Sequence, residues 1–252
     1  MLKLLVSCIL LLAVCVVPGM PQSQPASPYY SRNNSFGVFG AYSNDSSHIL
    51  LGDVENRRLL EFGASYSRRL LQNRIVNWQY DAELLPLALE SDPVSRVTIQ
   101  QILPVPSPAG SYTFEPFGAC HAASATDAYT LNGIVYSFKV TDTCERRWTI
   151  GEGMSPLGFR WNFLPRRRWQ PVLEGHGGYM YSTQPIPVDQ AGNFNFTFDA
   201  GVGVEIFRPR SEKGMQSVRA EYRYHHISNN DTAAQNPGID SGVIQVTYVF
   251  GR

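Results

Sequence analysis

A histidine, a serine and an aspartate near the end of the chain have the same parity as the apolar side chains of two predicted strands. The first alternating run, residues 217–228, has these apolar members: Val218, Ala220, Tyr222 and Tyr224. Because side chains on a strand repeat every two residues, His226 and Ser228 lie on that apolar face. Asp240 has the parity of the next apolar set, which is Ile244, Val246, Tyr248 and Phe250. Polar groups facing hydrocarbon are costly, so this placement suggests chemistry on a substrate that lies in lipid.

These three residue types are those of a serine hydrolase. A serine hydroxyl becomes a good nucleophile when a histidine removes its proton and an acid holds the histidine in the required tautomer. His226 and Ser228 are two residues apart, so their Cα atoms are roughly 6.5–7 Å apart on a strand. If the hairpin pairs Ser228 with Asp240, then His226 faces Gly242, which leaves space for the imidazole. Asp240 is then a diagonal neighbour of His226, with roughly 7–8 Å between the Cα atoms.

The connection between the two runs is rich in amide side chains. Asn229, Asn236 and Gly238 offer donors for an oxyanion or help to shape the site. Such residues are also common in ordinary turns. His225 and His226 point to opposite faces, which argues against a metal site formed by the pair. The sequence indicates no metal and no organic cofactor.

The start of the chain predicts export. The chain has 252 residues and no net charge, and no basic stripe suggests nucleic acid as a partner. Lys3 is followed by an apolar run over 4–17, which is typical of a signal peptide of about residues 1–24. We expect cleavage between Gly19 and Ala26, and then a single domain over 25–252. In an exported protein, the two remaining cysteines, Cys120 and Cys144, are expected to form a disulfide.

Eight segments alternate between apolar and polar residues, which predicts an all-β fold. They are 36–42, 60–68, 75–85, 149–163, 171–182, 194–205, 217–228 and 240–250. A soluble lipocalin-like barrel and an outer-membrane barrel both show such alternation, with the two faces exchanged. The length of the segments favours a tilted membrane span. Aromatic residues near the segment ends also favour a membrane barrel: Tyr42, Tyr66, Trp161, Phe163, Tyr224 and Phe250.

The lengths of the connections predict the orientation. Short connections follow the second, fourth and sixth segments, and longer ones follow the others. Outer-membrane barrels place short turns in the periplasm and long loops outside, so His226 and Ser228 lie near the outer leaflet. The longest connection, 86–148, contains Pro104, Pro106 and Pro108 and is expected to be an extracellular loop. We therefore predict an eight-stranded antiparallel outer-membrane β-barrel with one long loop.

The site segments resemble a known family. The stretch from Tyr222 to Asn229, with 236–240 after it, is similar to the lipid A 3-O-deacylases of the PagL family. The resemblance implies an outer-membrane barrel that hydrolyses the 3-O-linked acyl chain of lipid A, with the lipopolysaccharide of the outer leaflet as its partner. It implies His226 as general base, Ser228 as nucleophile and Asp240 as orienting acid, and it links Asn229 and Asn236 to the oxyanion site.

Two features depart from that family, and other functions remain open. The family acid is usually glutamate, which is one methylene longer than Asp240, and the 86–148 connection is longer than a minimal barrel needs. A non-catalytic surface barrel, a soluble lipid carrier and an outer-membrane phospholipase are the alternatives. The lipid A profile, the behaviour on fractionation and the release of fatty acid from phospholipid distinguish them.

Overall fold

A computed structural model describes residues 29–208 and 215–251. The predicted signal peptide, residues 1–24, lies outside the described residues. Within the described ranges, no helix is long and apolar enough to cross a membrane.

The chain forms ten antiparallel strands. They are β1 (Asn34–Ser43), β2 (Arg58–Gln72), β3 (Val76–Leu103), β4 (Gly110–Phe114), β5 (Ala123–Leu131), β6 (Ile134–Phe163), β7 (Trp169–Ser182), β8 (Phe194–Phe207), β9 (Met215–Ser228) and β10 (Ile239–Gly251). Eight of them bond into a ring, because β1 pairs with β10 and β3 pairs with β6. Each of the eight predicted segments corresponds to one strand of this ring, which confirms the all-β antiparallel barrel.

The apolar side chains lie on the outside of the ring. On β9 and β10, Tyr222 is 57% exposed and Ile244 is 60% exposed, whereas Arg219, Glu221 and Arg223 are buried in the interior. A barrel in water has the opposite arrangement, with a polar exterior. The burial pattern therefore confirms the predicted sidedness of the strands.

Ion pairs fill the interior. Arg223 donates to both carboxylate oxygens of Glu83, at 3.0 and 2.9 Å, and Arg160 pairs with Asp81. All four side chains are buried. Charges can remain in such an enclosed space only when they are paired and hydrogen-bonded, as they are here.

The prediction of a loop over 86–148 was wrong in its secondary structure. β3 continues to Leu103 and β6 begins at Ile134, so both strands extend beyond the ring. β4 pairs with the end of β3, and β5 pairs with the start of β6, which gives a four-stranded sheet that we call the distal sheet. The prolines used as loop markers lie just after the end of β3. Cys120 and Cys144 form a disulfide, with 5.7 Å between their Cα atoms.

The long connections pack together at one end of the ring, which we call the outer end. The first connection, residues 44–57, forms bridges with the start of β10, at Ser46–Ser241 and Val54–Ile239. A small apolar core fills the space between the connections and the strand ends: Val54, Ala88, Met180, Ile186, Val188, Ala191, Ile227 and Ile239. This core gives the outer end a fixed packing and holds the first connection against β9 and β10.

A buried ionic cluster joins the distal sheet to the first connection. The Arg57 guanidinium donates to the carbonyl oxygen of Phe117 at 3.0 Å, and its Nε lies 3.4 Å from Asp92. Glu115 pairs with Arg147. Burial, together with the negative charge of Asp92, raises the pKa of Glu115 to about 7.

Candidate active site

The register of β9 and β10 places His226 directly opposite Asp240. The register with Ser228 opposite Asp240 was therefore wrong by two residues. The sequence did not determine it, because a connection as long as 229–238 does not fix the register as a two-residue turn does. Directly opposed residues have Cβ atoms roughly 4.5–5.5 Å apart, which suits the short side chain of aspartate.

The acid and the histidine are hydrogen-bonded. His226 Nδ1 lies 2.6 Å from Asp240 Oδ1. Since a carboxylate only accepts hydrogen bonds, this contact assigns the imidazole proton to Nδ1 and leaves the Nε2 lone pair available. The structure thus brings two of the three predicted catalytic residues into the relation that a general base requires.

Ser228 lies two residues beyond His226 on the same exterior face and pairs with Phe196 of β8. Its side chain is partly exposed, and its hydroxyl makes no hydrogen bond to His226 or to any other residue between 29 and 208 or between 215 and 251. The structure therefore places Ser228 on the same face of β9 as His226, with no hydrogen bond between the two side chains. Catalytic hydrogen bonds are often long without substrate and shorten when it binds.

Three groups that the sequence reasoning did not identify also contact the acid. The peptide N–H groups of Leu50 and Leu51 donate to Asp240 Oδ2, at 2.6 and 2.7 Å. The Tyr224 hydroxyl donates to Oδ1 at 2.8 Å. The first connection covers Asp240 so completely that its relative exposure is 0%, although it belongs to the exterior face. Only Tyr224 had a signal in the sequence, as an aromatic residue of the apolar face, and that signal suggested a lipid contact.

The Asn229 amide is not available to an oxyanion. Its Nδ2 donates to the carbonyl oxygens of Ala191 and of Gln235, the second at 2.7 Å. Its peptide N–H donates to Asn236 Oδ1 at 3.0 Å. Asn229 therefore shapes the connection, which is one of the two roles predicted for it, while its side-chain amide has no free N–H for an oxyanion. Asn236 is partly exposed, and its Nδ2 donates to no described residue.

Two glycines beside the site have different roles from those expected. Gly238 has φ +65°, and a Cβ there would lie 3.1 Å from His226 Cε1. A Cβ at Gly242 would lie 2.2 Å from the Tyr222 hydroxyl. Gly242 therefore makes room for a tyrosine side chain, and Gly238 is the glycine that borders the imidazole, which corrects the predicted role of Gly242.

The potential metal ligands lie inside the barrel. Among the described residues, two groups offer ligand atoms within 4.8 Å of one another: Asp81 with Glu174 and His176, and Glu83 with His176 and Asp199. Arg160 already pairs with Asp81, and Arg223 pairs with Glu174 and Glu83. These guanidinium groups supply the positive charge that a cation would bring, so we assign no metal to either group. His225 faces this interior, away from His226.

Comparison with known proteins identifies the family. The crystal structure of the outer membrane enzyme PagL is 14% identical to this chain, with a TM-score of 0.47, and the match covers 84% of this chain and 97% of that one. Neisserial surface protein A is 12% identical, with a TM-score of 0.42 and coverage of 87% and 97%. No curated protein matches the sequence. The sequence profile described as "Lipid A 3-O-deacylase (PagL)" matches residues 118–249, more than half of the chain. The chain therefore belongs to the lipid A 3-O-deacylase (PagL) family.

Proposed function

We propose that this protein is an outer-membrane esterase that hydrolyses the 3-O-linked acyl chain of lipid A. Family membership supports the reaction class. The observation that carries the assignment of residues is the 2.6 Å hydrogen bond between His226 and Asp240 on an apolar exterior. Ser228 follows on the same face of β9. A base, its orienting acid and a hydroxyl beside lipid-facing side chains suit an ester that lies in the membrane.

In the first half of the reaction, Ser228 Oγ attacks the ester carbonyl carbon, and its proton moves to His226 Nε2. Asp240 holds the imidazole in place and stabilises the imidazolium that forms. The tetrahedral intermediate then collapses. The bond to the sugar oxygen breaks, and that oxygen takes the proton from Nε2. The products of this half are the 3-hydroxyl of the sugar and an acyl group on Ser228.

In the second half, a water molecule from the membrane surface attacks the acyl-serine. His226 removes a proton from the water and returns it to Ser228 Oγ as the fatty acid leaves. The oxyanion of each intermediate needs donors. We assign the oxyanion donors to Asn236 Nδ2 and the peptide N–H of Gly238, because both belong to the connection that follows Ser228. The Asn229 side-chain amide is already hydrogen-bonded within that connection.

The substrate would approach from the lipid. Lipid A of the outer leaflet would lie against β9 and β10, whose exposed side chains are largely apolar. Its ester would reach Ser228 at the boundary between the apolar wall and the outer connections. This arrangement requires the barrel to be embedded in the outer membrane after export by residues 1–24, with the outer end at the cell surface.

The test is expression in a bacterium of known lipid A structure, followed by mass spectrometry of the lipid A. We expect the loss of one 3-linked acyl chain with the wild-type protein. Ser228→Ala and His226→Ala should keep the heat-modifiable, folded barrel on gels and release no chain. Ser241→Ala is the matched control, because Ser241 lies on β10 but its hydroxyl is buried and makes no hydrogen bond to a described residue.

Three results would contradict the proposal. An intact lipid A profile with folded wild-type protein would indicate a non-catalytic barrel. Release of fatty acid from purified phospholipid, without release from lipid A, would indicate a phospholipase. Full activity of the Ser228→Ala variant would refute the assignment of the nucleophile.

A further inference from the structure

Both oxygens of the Asp240 carboxylate are engaged, and only one of the four donors within 2.8 Å belongs to the proposed triad; the Gly52 N–H also faces this carboxylate. Oδ1 accepts from His226 Nδ1 at 2.6 Å and from the Tyr224 hydroxyl at 2.8 Å. Oδ2 accepts from the peptide N–H groups of Leu50 and Leu51, at 2.6 and 2.7 Å. Rotation of the carboxylate about its Cβ–Cγ bond would stretch all four hydrogen bonds at once. Its plane is therefore fixed by groups on two separate parts of the chain.

Tyr224 contacts the acid and the base together. It precedes His226 by two residues on the same face of β9, and its ring is nearly parallel to the imidazole, with 6.5 Å between centroids and 13° between planes. Its hydroxyl shares Asp240 Oδ1 with the imidazole N–H. The hydrogen-bond partner of this partly buried hydroxyl is the proposed catalytic acid.

The first connection is fixed to the strand that carries the acid. The Ser47 N–H donates to the Asp240 carbonyl oxygen at 3.1 Å. The Asp53 N–H donates to the carbonyl oxygen of Pro237, two residues before β10, at 2.6 Å. Between these bonds, Gly52 packs directly on the strand, since a Cβ there would lie 2.5 Å from Asp240 N and 2.9 Å from the carbonyl carbon of Ile239. The two amides of Leu50 and Leu51 therefore reach the carboxylate only because residue 52 has no side chain.

We infer that Tyr224 and the Leu50–Leu51 peptide groups are positioning elements of the active site, which act on the reaction through Asp240. This inference rests on the proposed function. Aspartate has a short side chain, and its carboxylate reaches His226 from the directly opposite position on β10. The three additional donors keep the carboxylate charged and aimed at Nδ1, so that Nε2 stays free to take the serine proton.

The test of Tyr224 is a double-mutant cycle on the purified protein with lipid A in detergent micelles. Tyr224→Phe should lower kcat roughly fivefold to thirtyfold and leave KM within about twofold, because the hydroxyl contacts the acid and not the substrate. Adding Tyr224→Phe to the Asp240→Ala variant should cause no further loss, since the residue it acts through is gone. Tyr181→Phe is the matched control. It removes an exterior hydroxyl that makes no hydrogen bond to a described residue, on β7, which β8 separates from β9 and β10.

The test of the first connection uses two glycines. Gly52→Ala should lower kcat at least as much as Tyr224→Phe, because its Cβ would push the Leu50 and Leu51 amides away from Asp240. Gly118→Ala is the control, since its Cβ would lie 3.9 Å from Glu55 Oε2 and no closer to any other atom. Both variants should remain heat-modifiable barrels.

The outcomes separate this inference from the proposed function. If folded wild-type protein releases no acyl chain, the proposed function and the inference both fail. If the wild type is active and Ser228→Ala is not, but Tyr224→Phe keeps the wild-type kcat, only the positioning role is refuted. A loss of the same size from Tyr224→Phe in the wild-type and Asp240→Ala backgrounds would also refute it, because the hydroxyl would then act independently of the acid.

Discussion

Replacing Asp240 by asparagine tests the proposed catalytic arrangement most directly. The change keeps the size of the side chain but replaces one of its two acceptor oxygens with an NH2 donor. The carboxylate accepts four hydrogen bonds, two at each oxygen. The single oxygen of an asparagine can accept from only one pair of donors. The side chain therefore turns its oxygen either toward His226 and Tyr224 or toward the peptide N–H groups of Leu50 and Leu51.

The structure predicts which pair is kept. If the oxygen faced His226, the NH2 group would face the N–H groups of Leu50 and Leu51. Each of these donors would lose its acceptor, at about 1–3 kcal/mol apiece. If the oxygen faces the two peptide groups instead, the NH2 group donates to His226 Nδ1. The imidazole then carries its proton on Nε2 and cannot accept one from Ser228. In this orientation only the Tyr224 hydroxyl loses its acceptor, so the inactive tautomer is favoured by the difference of one donor, about 1–3 kcal/mol, and we expect kcat to fall by about 5-fold to about 150-fold.

The assay is the time course of acyl release from lipid A, followed by mass spectrometry, with equal amounts of heat-modifiable barrel. Asp231→Asn is the control, because Asp231 is exposed in the connection after β9. It should keep wild-type activity. An Asp240→Asn variant that retained more than about half of the wild-type kcat would refute the reasoning, since the tautomer would not then depend on the acid.

Two further predictions concern the surroundings of the site. Gly238→Ala should reduce kcat because its Cβ would lie 3.1 Å from His226 Cε1 in a left-handed backbone conformation. Gly192→Ala, also at positive φ but near Ala233 rather than the site, should cost stability and leave kcat unchanged. Because the folded protein holds the Glu115 proton up to a pH of about 7, the free energy of unfolding should fall as the pH rises from about 4.5 to about 7 and be constant above it. The Glu115→Gln variant should lose this pH dependence. The measurement is hydrogen-exchange protection of residues 92–118 at pH 5 and at pH 8, in the wild type and in the variant.

The strand alternation determined which side chains share a face, because the period of two is a local property of extended chain. It correctly grouped His226 with Asp240, and it identified all eight strands of the ring. It did not reveal the outer parts of β3 and β6. In β3 the continuation carries the buried polar residues Glu90, Ser91 and Asp92, and nearly all of β6 before residue 149 is exposed or half-buried, so neither part shows apolar alternation.

Contacts between residues that are far apart along the chain could not be predicted from the sequence alone. Leu50 is 190 residues from Asp240, and its amide reaches the acid only after the barrel has closed and the first connection has packed on β10. A peptide N–H has no sequence signature, so no pattern of residue types could have identified it. The same holds for the register of β9 and β10.

The sequence by itself therefore determined the strand faces, the barrel class and the three residues proposed for catalysis. Tertiary structure decided that the acid lies directly opposite the base, that the Asn229 amide is engaged elsewhere, and that Tyr224 and the first connection hold the acid. The physical reason is that side-chain parity is set by neighbouring residues, whereas strand register and connection packing are set by the closure of the whole ring.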